Sequence, residues 1–131
     1  MSFSSDLKKF ADKTERNAEK VFRGTALSIF SHVIKRTPVD TGRLRGNWQA
    51  NINRPAQGTT SINDKTGAQA ISSAATESMQ AKLGDSIYLV NNLPYAKVIE
   101  DGSSKQAPQG MVRVTVAEFT REVEKQARLL K

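Results

Sequence analysis

Between Leu7 and Ile34 the apolar side chains fall at Leu7, Phe10, Ala11, Ala18, Val21, Phe22, Ile29, Phe30, Val33 and Ile34, with gaps of mostly three, four or seven. That spacing predicts one long amphipathic helix. Lys8, Lys9, Asp12, Lys13, Glu15, Arg16, Glu19, Lys20 and Arg23 lie between them and give the opposite face its charge. Ser5 or Asp6 can cap the start, and Gly24 is the one weak point where a bend could occur. A helix over residues 7–34 would run about 42 Å at 1.5 Å per residue, longer than a compact domain of this size needs. Part of it is therefore expected to contact another chain.

Pro38 disfavours helical geometry at Thr37 and ends the helix, and Asp40 and Gly42 supply turn chemistry, Asp40 as an Asx-turn. Strict alternation follows, with Leu44, Trp48, Ala50 and Ile52 on one side and Arg43, Arg45, Asn47, Gln49, Asn51 and Asn53 on the other. The pattern predicts a half-buried strand over 44–53. Residues 54–58 read as a turn and 59–63 as a returning strand, which makes a hairpin. Ala68, Ile71, Ala75, Met79 and Leu83 then mark a shorter helix with a small-residue face and Gly84 beyond its end. Residues 86–91 are apolar on both sides, as an interior strand requires. Pro94 opens a brief helical segment over 95–100, closed by Gly102, and 103–110 form a polar loop. Val112, Val116, Phe119, Val123, Ala127 and Leu130 predict a second long amphipathic helix. The runs of Ser, Thr, Ala and Gln between 56 and 80 could be mobile.

The chain has 131 residues, enough for one domain with its own core. It has no cysteine, which excludes disulfides and thiolate chemistry and fits a reducing compartment. No apolar run approaches the length that spans a bilayer, and the first residues lack the apolar core of a signal peptide, so a soluble protein made in the cytoplasm is expected. The net charge of +7 sits at the two ends: residues 1–53 carry ten basic and five acidic groups, 54–102 four and five, and 103–131 six and three. Such a balance suits nucleic acid, an acidic protein partner, or simply a solvated surface.

Candidates for chemistry are poor. Glu100 and Asp101 are adjacent, so they point apart, and beside Gly102 they fit a turn or cap better than an acid–base pair. His32, the single histidine, lies beside the apolar stripe and cannot complete a metal site or a triad. The glycines form no phosphate-cradling pattern, so no cofactor is expected. Arg43 and Arg45 share a predicted strand face with Asn47, Gln49, Asn51 and Asn53, a polar ribbon that could meet phosphates, although antiparallel sheets commonly show water one polar face. Trp48 and Tyr95 fall at packed positions and offer no stacking platform.

Three segments in order, T-P-V-D-T-G-R-L-R-G-N-W at 37–48, Y-L-V-N-N-L-P-Y-A-K-V-I-E-D-G at 88–102 and A-P-Q-G-M-V-R at 107–113, resemble the small tail-component family of long-tailed bacteriophages. The resemblance implies an α+β fold, a small antiparallel or mixed sheet packed against a long N-terminal helix and a C-terminal helix. It implies a noncatalytic virion protein of the neck or head-proximal tail, made in the host cytoplasm, that completes or terminates the tail and enables head–tail joining. Implied partners are other copies of itself in a ring, expected to be hexameric, a head-closure or connector protein, a tail terminator or tail-tube protein, and nonspecific contact with DNA in the channel. Onto this sequence the family's landmarks carry over as Pro38, Asp40 and Gly42 at a corner from which Arg43 and Arg45 project. Asn91, Asn92, Pro94, Tyr95, Glu100 and Gly102 form a strand-to-helix junction in which Tyr95 packs and Glu100 is available to pair Arg43 or Arg45. Pro108, Gln109, Gly110 and Met111 lead into the last helix. Residues 56–80 match no landmark. Alternatives to the structural role are a basic nucleic-acid-binding module and a transient assembly factor absent from the mature virion.

Overall fold

A computed structural model describes residues 3–129. The first helix, α1 (Phe3–Arg36), runs unbroken through Gly24 for 34 residues, about 51 Å at 1.5 Å per residue. Ser5 and Asp6 already lie within it; their side chains, and those of Leu7, Phe10 and Ala11, are outside the described ones, as is Leu130. Among the described side chains of α1, the buried apolar ones are Phe30, Val33 and Ile34, in its last third.

The predicted strand over 44–53 is two elements, a single helical turn α2 (Arg43–Gly46) and a strand β1 (Trp48–Ile52). Leu44 and Trp48 are both buried. A spacing of four places residues on one side under a helical period as well as under alternation, so the pattern could not separate the two. Residues 59–63 are not a strand and make no hairpin. The partner of β1 is β2 (Ile87–Asn91), antiparallel, in register from Trp48 opposite Asn91 to Ile52 opposite Ile87. Among the described residues the sheet has these two strands alone, so β2 is an edge strand there and not an interior one. Leu89 packs against the core while Tyr88 stays 41% exposed.

The helix α3 (Ala68–Ser78) buries Ala70, Ala74 and Ser78 against α1 and β1, a small-residue face one position round from the expected stripe, of which Ala68 is exposed and Ile71 and Ala75 are half-buried. It stops short of Leu83, and Met79 is 71% exposed where the apolar spacing would have packed it. After α4 (Ala96–Glu100), the predicted last helix divides into α5 (Val112–Val116) and α6 (Phe119–Arg128). Arg36 grips the two sides of this break, donating to Thr115 Oγ1 at 2.8 Å and to Glu118 Oε1 at 2.9 Å. The turn they flank shifts the apolar face, so Val116 is 56% exposed while Thr115 is buried.

The architecture is thus α+β: the long N-terminal helix, a two-stranded antiparallel sheet, and further helices around one cluster of Val33, Ile34, Leu44, Trp48, Ala70, Leu93, Ala96, Ala107 and Met111. Among the described residues no helix is long and apolar enough to cross a membrane.

Candidate assembly surface

The segment 37–48 is built from the end of α1 outward. A helix leaves its last carbonyls without partners, and here three are satisfied by side chains or the next turn. Thr37 Oγ1 donates to Val33 O at 2.8 Å and Thr37 N to Ile34 O at 3.2 Å. Arg45 donates from Nη2 to Lys35 O at 2.7 Å and from Nε to Thr37 O at 2.9 Å, and its Nη1 reaches Lys65 O at 2.7 Å. A guanidinium at a helix C-terminus also meets the negative end of the macrodipole. The buried Trp48 donates from Nε1 to Thr37 Oγ1 at 2.7 Å, so that hydroxyl is both donor and acceptor.

Gly42 closes the corner with φ +89°, a conformation that disfavours any Cβ. A Cβ there would also lie 2.5 Å from Lys65 N, because residues 64–65 pass directly over it. Gly42 O accepts from both Gly46 N and Asp64 N at 2.9 Å. Asn47, wholly buried, pairs with Thr60: Thr60 N donates to Asn47 Oδ1 at 2.8 Å, and Asn47 Nδ2 donates to Thr60 O at 3.2 Å and to Arg43 O at 2.8 Å. Asp64 accepts from Gly67 N and Ala70 N and so caps α3. Far from drifting, 60–67 are pinned to the corner. Thr41, not Asp40, supplies the turn oxygen, accepting from Arg43 N at 3.2 Å.

A second lock joins the other two segments. Glu100 accepts from Met111 N and Val112 N at 2.8 Å through Oε1 and from Arg113 N at 2.9 Å through Oε2, capping α5. Burial would raise its pKa, but the three backbone N–H groups and the nearby Arg113 charge together outweigh that and hold it below the ordinary glutamate value. Gly102 and Gly110, both at positive φ, let the chain cross itself: a Cβ on either would lie 2.6 Å from Pro108 O or Glu100 O respectively. At the other end of the junction, Asn91 Nδ2 donates to Leu44 O at 2.8 Å, tying β2 to α2.

Several expectations change. Arg45 does not project; it is turned inward onto three carbonyls. Glu100 pairs neither Arg43 nor Arg45, because the N-terminus of α5 holds both its oxygens. Tyr95 is 42% exposed and lines an open groove of about 300 Å³ with Pro38, Val39, Asp40, Arg43 and Ile99. No strand face carries a polar ribbon from Arg43 to Asn53, since Arg43 and Arg45 are on α2 and Asn47 is buried. Of the site residues expected from the sequence, Asp40, Arg43, Pro94, Tyr95 and Pro108 are exposed. Three of these, Asp40, Arg43 and Tyr95, line one groove. Arg36, Thr37, Asn47, Asp64 and Arg113 carry much of the construction and were not singled out by the sequence. Thr37 ahead of Pro38 was the one local signal.

Among the described residues no group of His, Asp and Glu could hold a metal ion. The model of a family described as "Bacteriophage HK97-gp10, putative tail-component" matches residues 2–102. The chain belongs to this HK97-gp10-like family. The match takes in the first two segments and ends at Gly102, so A-P-Q-G-M-V-R at 107–113 lies beyond it. Glu100 nevertheless binds that outlying segment to the matched part. No curated protein and no solved structure matches the chain. Membership makes it a phage tail component in kind, whose partners are other phage structural proteins and whose place is the virion.

Proposed function

We propose that this tail component acts at the neck or head-proximal end of the tail, completing it for joining to the head, and does so as a ring of identical subunits without catalysis. The observation that carries the reading is where the side chains of the three segments go. Arg45, Trp48, Glu100, Gly102 and Gly110 are consumed in holding the chain together, and the titratable groups among them are bound to backbone rather than gathered in a cleft. A scaffold so fixed presents rigid surfaces, which is what a part acting by shape requires. Head-to-tail rings need two different complementary patches on each subunit. The long α1 and the groove between Pro38 and Tyr95 are the surfaces available for them.

The test is the mass of the purified protein in solution, alone and with tail-tube protein, together with the protein inventory of purified virions. A closed oligomer that binds tube and is present in virions supports the reading. A strict monomer that ignores the tube and is missing from virions would replace it with a transient assembly factor.

A further inference from the structure

Five consecutive side chains, Asp12 to Arg16, are exposed. A helix turns once every 3.6 residues, so one that rested on the body would hide at least one of five successive positions. Over Asp12 to Arg16, α1 stands clear of the described residues of its own chain. An isolated helical stretch is marginal in water and owes its stability mainly to packing, which makes this stretch a candidate for cover by another chain.

Its charges say which. Asp12-Lys13, Glu15-Arg16 and Glu19-Lys20 repeat an acid followed by a base, at intervals of three and four. The bases Lys13, Arg16 and Lys20 form one row along the helix, the acids Asp12, Glu15 and Glu19 a second, and the single-residue offset turns the rows about 100° apart. Glu19 pairs with Arg23 at 2.9 Å within the helix. Asp12, Lys13, Glu15, Arg16 and Lys20 form no ion pair among the described residues, and Asp12, Lys13, Glu15, Arg16 and Lys20 are all exposed. We propose that the free stretch of α1 docks on α1 of a second copy of this chain, the basic row of one helix against the acidic row of the next. Each helix then uses its two rows on two different neighbours. Because the rows are not diametrically opposed, successive contacts turn instead of running straight, as ring closure demands. The inference rests on the ring reading above and names the contact that makes it.

The experiment is sedimentation of the full chain in three forms: unaltered, with the basic row reversed (Lys13→Glu, Arg16→Glu and Lys20→Glu), and with the free acids reversed (Asp12→Lys and Glu15→Lys). Helix content is followed by circular dichroism. The unaltered chain is expected to associate, and to do so less as salt rises from about 50 to 500 mM and the Debye length shrinks. Each reversed form should self-associate at least tenfold more weakly, and an equimolar mixture should regain association, because each then meets the opposite charge; this recovery also excludes simple loss of the helix. If the unaltered chain is a monomer, the ring reading itself fails. If it associates and both reversed forms match it, the ring stands and the row contact is overturned. Failure of the mixture to recover overturns the pairing of the rows. An effect of the basic row alone, accompanied by lost binding to duplex DNA, assigns that row to a polyanion and also overturns the proposal.

Discussion

The corner at 37–48 and the stretch of α1 at 12–20 both carry charged side chains, yet they use charge in opposite ways. At the corner Arg45 is spent on three carbonyls, and a buried asparagine and a buried tryptophan complete the network. On the free stretch five charged side chains have no partner within the described chain. The lesson is that the residues which make a segment recognisable need not be those that meet a partner. Here the recognisable segment maintains the fold, and a plain repeating charge pattern is left to face outward.

Substitutions can break this contrast if it is wrong. Trp48→Ala removes a large core side chain and the donor to Thr37, and should cost about 3–5 kcal/mol in chemical denaturation. Gly42→Ala should cost about 3 kcal/mol, combining left-handed backbone strain with a collision against residues 64–65, and should broaden amide signals along 60–67. Glu100→Gln should cost about 1–2 kcal/mol at neutral pH by weakening the cap of α5. Since the native pKa of Glu100 is lowered, its contribution is present above the unfolded-state value and disappears as pH falls through the native one. The difference between the two proteins should accordingly shrink in acid, and a gap that persists unchanged there would refute a charge-based cap. Lys13→Ala, at the other extreme, should alter unfolding free energy by no more than about 0.5 kcal/mol. A large destabilisation at Lys13 would mean that this stretch of α1 is packed after all.

The long helix was legible because its period repeats over many turns, and Pro38 marked its end within two residues. The α+β class was likewise readable from the resemblance. What escaped was decided by partners distant in sequence. Asn47 reads as a surface residue by alternation, and it is buried because Thr60, 13 positions on, uses both ends of its amide. Glu100 reads as a turn or a free acid, and its true role needs the N-terminus of a helix that starts at Val112. For β2 the apolar content was read correctly but its neighbours were not: one face packs on the core, and no third strand lies among the described residues.

The crossing of the backbone at Gly102 and Gly110 ties off the segment between them like the neck of a bag. Ser103 and Lys105 lie exposed just inside that neck, outside the core cluster that Ala107 joins. Doubling such a segment adds only about 0.6 kcal/mol of closure entropy. A short epitope inserted after Ser103 should therefore leave the thermal midpoint nearly unchanged, and would let an antibody mark where each subunit sits on an intact particle.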